Sequence, residues 1–208
     1  MSILSWERLL FVLPSVIIAL TFHESAHALV AYKFGDPTAK MQGRLTLNPL
    51  KHLDVIGTLL LIFVQFGWAK PVPINPYYFQ GNRRAKMILV SIAGVSMNFI
   101  LALLCAFFIS LMYYGHLPVN EGVQMFLMQL AFINLILVVF NLLPIPPLDG
   151  SKVLLELLPP RWSDNLSFLD RFGFIILIIL AITGLLAKFI LPLINGLMNF
   201  CFAIVGLS

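Results

Sequence analysis

Charged side chains are scarce in this 208-residue chain: 13 Lys and Arg and 9 Asp and Glu, 11% of the total. A soluble domain carries about 25%. The shortfall excludes a soluble globular enzyme, a disordered tail and a nucleic-acid binder. Cysteine is just as rare. Cys105 and Cys201 lie far apart within apolar runs and form no CxxC pair, which argues against a disulfide framework or a cysteine metal site and leaves both as small membrane-facing or packing residues. The first apolar stretch is longer than a signal-peptide core and runs into charged residues with no small-residue cleavage site, so a permanent span is expected. Neither an internal repeat nor a low-complexity tract is visible.

What the chain has is apolar surface. Hydrophobic residues make up 60% of it, and its mean hydropathy is +0.97. An all-α polytopic membrane protein follows, with about four to six helices of about 20 residues each. The net charge of +4 is then a topology signal rather than a footprint for a polyanion.

The first helix is expected over residues 8–34, ended by Gly35-Asp36-Pro37. Residues 35–84 form a loop region. Within it the run Lys40 to Leu47 alternates weakly and reads as short extended structure. Residues 55–68 are apolar but too short for a comfortable span, which suits a re-entrant segment. Three prolines in Lys70 to Pro76 forbid a regular helix there. Core helices are expected at 85–114 and 121–143, joined by a short turn. Residues 144–150 form a Pro-rich break, residues 151–160 a short amphipathic helix, and residues 168–207 the C-terminal membrane segments, with one span at 172–191. Basic residues crowd 33–86 and recur at Lys152, Arg161 and Arg171, whereas the 115–120 turn has none. The positive-inside rule makes the first two regions cytoplasmic and the turn external, and it places the N-terminus outside despite Arg8.

The chemistry is concentrated in His23-Glu24-Ser25-Ala26-His27. This is HExxH inside a membrane helix. Residues i and i+4 share a helical face, so both imidazoles can bind one zinc ion, and the adjacent Glu24 can deprotonate a water held there. Each ionisable group near the middle of a span costs at least about 2.5 kcal/mol. Three within five residues call for compensation, and a divalent cation supplies it. A chance match or a polar packing patch is the weaker reading for that reason.

A catalytic zinc takes three protein ligands and keeps an open position. His52 in the basic loop reads as solvated or interfacial, and His116 lies in the external turn. Lys33 follows His27 by six residues, so the metal should sit roughly 9 Å from the cytoplasmic end of the helix. The third ligand should come from that end of another span. Asp149 qualifies, but an Asp before Gly150 serves equally well as the N-cap of the following helix.

His23-Glu24-x-x-His27 together with Asn141-x-x-Pro144-x-x-x-x-Asp149-Gly150 resembles the site-2 protease family of intramembrane zinc metalloproteases (peptidase M50-like). The stretches Gly43 to Asp54, Gly57-Thr58 and Trp68 to Asn75 resemble its compact bacterial and archaeal branch, which lacks PDZ and CBS domains. The resemblance implies zinc bound by His23, His27 and Asp149, with Glu24 as catalytic base. It implies a substrate-binding role for Asn141. The alternative for Asn141 is an interhelical hydrogen bond. Gly94-Val-Ser-Met-Asn98 resembles the family's Gly-x-x-x-Asn element, although many members carry Pro where this chain has Val95. Gly94, Asn98, Ala102 and Ala106 form a small-residue ridge suited to close helix approach. Asn98 is a candidate substrate contact, with packing the stronger reading; Asn134 reads as an interhelical hydrogen-bonding residue.

The expected function is hydrolysis of peptide bonds in or near transmembrane segments of other proteins, in a prokaryotic plasma membrane, with the site towards the cytoplasm. Expected partners are transmembrane protein substrates and the lipid bilayer, with room for a homo-oligomer or a regulatory membrane protein, and no nucleic acid. The alternatives are a metal-ion transporter, which needs a polar path through both membrane halves that residues 86–143 do not offer, and an inactive binder of membrane helices, against which the intact Glu24 and ligand set argue.

Overall fold

The computed structural model describes residues 6–64 and 67–207; within its helices, the side chains of 6–9, 59, 61–64 and 160–170 fall outside the description. The side-chain environment expected around Arg8 and Arg161, and two positions of the 55–68 segment, therefore lie outside the described residues.

Among the described residues, four helices are long and apolar enough to cross a membrane. They belong to α1 (Trp6–Lys33), α4 (Arg83–Tyr113), α5 (Glu121–Asn141) and α8 (Leu185–Ile204). The other helices are α2 (Thr38–Met41), α3 (Val55–Val64), α6 (Asp149–Leu157) and α7 (Pro160–Ile182). Asparagine begins both core helices. Asn82 accepts a hydrogen bond from the Ala85 amide at 3.1 Å, and Asn120 from the Val123 amide at 3.0 Å. Each satisfies an amide that the first helical turn leaves open.

The small-residue ridge of α4 lets the helices close up. Ala102 and Ala106 pack with Leu135 and Val139 of α5 and with Ile190, Ile194 and Cys201 of α8. Cys105 packs with Leu130 and Ala131. Both cysteines are buried and free, as expected of packing residues. Leu104, Phe107 and Phe108 are exposed on the other side of α4, where hydrocarbon covers a membrane helix.

Two sequence expectations shift. Lys40 and Met41 belong to the helical turn α2 rather than to an extended run. The only pairing of strand type among the described residues is an isolated bridge between Leu53 and Ala69. The span expected at 172–191 is broken: α7 ends at Ile182 and α8 starts at Leu185. Gly184 turns the chain there at φ +71°, a conformation open to glycine at little cost.

The two ends of the bundle locate α7. Arg84, at the start of α4, bonds the Leu158 carbonyl at 3.2 Å just before α7. At the far end Ser110 donates to the Val205 carbonyl at 3.0 Å, beside the last turn of α8. An α8 of 20 residues runs about 30 Å, so it starts on the Arg84 side. α7 therefore begins and ends on one side of the bundle.

Candidate metal centre

Two elements, α1 and α6, bring His23, His27 and Asp149 together. The two histidines are one helical turn apart on α1. Asp149 opens α6, directly after the Pro144 to Pro147 break. Its side chain makes no capping bond, and Leu148 holds the N-cap position, so the capping alternative does not describe this aspartate. Gly150 permits the approach: a Cβ there would collide with the Leu142 and Leu143 backbone at the end of α5.

The ligand atoms converge. His23 Nε2 and His27 Nε2 are 3.0 Å apart, and they lie 3.1 and 3.0 Å from Asp149 Oδ2. All three residues are at most 5% exposed. Their protonation follows from what lies behind them. His27 Nδ1 is 2.7 Å from the Val90 carbonyl, which can only accept, so Nδ1 carries the proton. His23 Nδ1 is 2.6 Å from Asn98 Oδ1. The Asn98 amide nitrogen donates to the Ala19 carbonyl at 3.1 Å and to Asn134 Oδ1 at 2.8 Å. That fixes the oxygen towards His23, whose Nδ1 must also donate. In the neutral form that binds a metal, each ring thus turns an Nε2 lone pair towards a carboxylate oxygen.

Three lone pairs facing one another repel unless a cation lies between them. A tetrahedral zinc with bonds of about 2.0–2.1 Å sets its donors about 3.3 Å apart. The separations of 3.0–3.1 Å agree with this to a few tenths of an ångström. The donor set therefore fits zinc, with a fourth position left over.

Asp149 has the charge state a ligand needs. Burial would raise its carboxyl, and the Lys152 ammonium opposes that by favouring the ionised form. Lys152 Nζ is 2.9 Å from Asp149 Oδ1, the oxygen turned away from the histidines.

Glu24 lies beside the histidines and accepts a hydrogen bond from the Val72 amide at 2.8 Å. Val72 belongs to an extended strap over residues 69–75, the Pro-rich segment. The strap is tied down at several points. The Lys70 amide donates to the His52 carbonyl at 2.9 Å, and Arg44 Nη2 to the Lys70 carbonyl at 2.6 Å. The Asn75 amide donates to Asp36 Oδ2 at 2.7 Å. Asp36 itself is fully buried at the end of α1. His52 is fully buried too, with Nε2 2.8 Å from the Thr46 carbonyl. This corrects the solvated reading of His52: it packs inside the loop that carries the strap.

A cavity of about 440 Å³ opens onto the site, lined by His23, Glu24, His27, Asp149, Lys152 and Asn141 together with apolar side chains. Trp68 and Phe174 meet edge to face across it, 5.8 Å between ring centres. Asn141 is thus at the cavity wall, with its amide nitrogen bonded back to the Leu137 carbonyl at 3.1 Å. Asn98 is elsewhere. It is fully buried behind His23, and both its amide oxygen and its nitrogen are engaged. That geometry does not suit the expected substrate contact. Asn134 joins α5 to α4 through Asn98, as an interhelical bond should.

Sequence reasoning passed over two features. Lys152 was visible only as a topology charge, although its i+3 spacing from Asp149 was available. The Val72 amide has no side-chain signal at all. Gly94 was assigned to packing, and its contact turns out to be the metal-facing rings themselves: a Cβ there would sit 2.5 Å from His27 Nε2 and 2.6 Å from His23 Cε1.

Apolar helices that bury a pair of histidines and a carboxylate, with an acid beside them, define a membrane-embedded zinc metalloprotease. Comparison with known proteins agrees. The family model described as Peptidase family M50 matches residues 109–180. A Bacillus subtilis (strain 168) protein named "Putative zinc metalloprotease YwhC" is 44% identical over 190 residues, covering 89% of this chain and 86% of that protein. The Rip2 proteins of Mycolicibacterium smegmatis and Mycobacterium tuberculosis (strain H37Rv), which carry the same zinc metalloprotease description, are 30% identical over 92% and 89% of this chain and 74% and 68% of their own lengths. No solved structure matches the chain. The chain belongs to peptidase family M50.

Proposed function

We propose that this protein is an intramembrane endopeptidase that hydrolyses peptide bonds in or near the transmembrane segments of other membrane proteins. The observation that carries the reading is the convergence of His23, His27 and Asp149, beside Glu24, on a cavity among membrane-length helices. His23 Nε2, His27 Nε2 and Asp149 Oδ2 hold the ion. Bound there, zinc supplies a Lewis acid that polarises a carbonyl and acidifies water. Glu24 takes the proton of the attacking water and returns it to the departing amine nitrogen. Asn141, at the cavity wall, hydrogen-bonds the substrate backbone. The apolar lining receives side chains of a membrane segment.

A helical substrate hides its carbonyls in its own hydrogen bonds, so the segment to be cut must unwind first. The strap lies on Glu24 and gates that entry. The crowding of basic residues at the Lys33 end of α1 supports a site facing the cytoplasm of a prokaryotic cell.

The test is zinc content and cleavage, measured together on detergent-purified wild type and Glu24→Gln with a panel of single-span proteins. Both proteins should hold about one zinc per chain, and only the wild type should cut. A wild type without zinc under conditions that preserve its fold would sink the reading, as would full cleavage by Glu24→Gln.

A further inference from the structure

We infer that Lys152 is a positioning residue that restricts Asp149 to one-oxygen ligation and so keeps the fourth position of the metal open. The inference rests on the reading of Asp149 as a ligand and goes one step further.

A carboxylate at a metal can offer one oxygen or both. The second mode would take the position needed by water and substrate. Rotation about the Asp149 side chain interconverts the two, and something must resist it. Oδ2 faces the two imidazoles at 3.0 and 3.1 Å. Oδ1 receives the Lys152 ammonium at 2.9 Å. The α6 backbone does not help, because Asp149 stands inside the first turn and Leu148 holds the cap position. Lys152 is thus the ion-pair partner of Oδ1 among the described residues. Its place on α6, three residues on, holds its ammonium over Oδ1 from the same helical face.

Lys152 has other company to account for. Its side chain is 38% exposed, and it lines the cavity. A lysine there can also meet a substrate carbonyl, and that role predicts different kinetics. Substrate contact made equally in ground and transition states raises KM with kcat preserved. Loss of the open position lowers kcat.

The experiment uses the full chain in detergent, loaded with Co²⁺ as a spectroscopic stand-in for zinc, as wild type, His23→Ala, Lys152→Met and Lys152→Arg. Wild type should show the intense visible bands of a four-coordinate ion, and His23→Ala should lose them. Lys152→Met should keep its metal but lose most of the band intensity as the second carboxylate oxygen enters. Its kcat on a single-span substrate should fall about 10–100-fold, the usual cost of losing an outer-shell partner, with KM little changed. Lys152→Arg, which still reaches Oδ1, should restore both spectrum and rate. A wild-type spectrum in Lys152→Met overturns the inference and leaves the metal site standing. So does a rise in KM alone. Absence of the four-coordinate bands from wild type overturns both.

Discussion

Substituting one hydrogen at Gly94 tests how tightly the metal-facing rings are held. In Gly94→Ala the new methyl would lie 2.5 Å from His27 Nε2, 2.6 Å from His23 Cε1 and 2.7 Å from His23 Nε2. Ordinary contact between such atoms begins at about 3.5 Å, so one partner must move by about 1 Å. The rings have little room to retreat. His23 is bonded behind to Asn98 and His27 to the Val90 carbonyl, at 2.6 and 2.7 Å. Either those bonds break or α4 backs away from α1. Overpacking of this kind costs about 1–3 kcal/mol of stability. The functional loss should be greater, because metal sites tolerate only about ±0.2 Å in their distances, and a misplacement of about 1 Å costs about 100-fold in rate. Gly94→Ala should therefore fold with a lowered Tm, hold zinc weakly and cleave about 100-fold more slowly. Gly196→Ala is the control, since nothing lies within 4 Å of its Cβ and alanine favours a helix by up to about 1 kcal/mol. Bound zinc by elemental analysis, thermal melts and substrate cleavage are the assays. Full zinc occupancy and undiminished cleavage in Gly94→Ala would refute the argument, for they would mean that the α1–α4 contact is soft.

Two further perturbations separate the support of the site from its chemistry. Asn98→Ala removes the acceptor of His23 Nδ1 and should weaken zinc about 10–100-fold in competition with a chelator; unchanged affinity would show that the ring needs no brace. Asp36→Ala frees the Asn75 amide from its buried acceptor, at a cost of about 1–3 kcal/mol. Hydrogen exchange should rise across residues 69–75 while zinc content stays that of wild type, and loss of zinc would contradict the assignment of Asp36 to the strap.

The legible parts of this protein are those where one physical signal dominates. The apolar runs of α4 and α5, each opened by asparagine and closed near glycine or proline, place the helices to within two residues. Polar groups stranded in α1 drew attention to His23, Glu24 and His27 because their burial is costly. Asp149 was harder, since position alone fits a ligand and a helix cap equally; the family resemblance favoured the ligand role, and the fold brings it to the histidines. The break at Thr183 and Gly184 carries little signal, because apart from Lys188 the residues on both sides are apolar, and hydrophobicity cannot mark a turn inside such a run. His52 was misjudged for the opposite reason: charged neighbours made the loop look solvated, whereas long-range packing buries the ring. The Val72 amide and the Lys152 contact come from tertiary placement, which carries little local signature.

The hydrogen-bonded chain from His23 through Asn98 and Asn134 to the Leu130 carbonyl has a consequence for how this protein can change. Its bonds of 2.6, 2.8 and 2.8 Å cross α1, α4 and α5 at a depth where water does not compete. Sliding one of these helices by a turn would strand an amide in hydrocarbon, at a cost of several kcal/mol. The same bonds set which nitrogen of His23 holds its proton. Helix register and ligand basicity are therefore one variable, not two. Replacing the asparagines with apolar residues to toughen the bundle would loosen the imidazole in the same stroke, so this pair ties the durability of the scaffold to the electronic state of its centre.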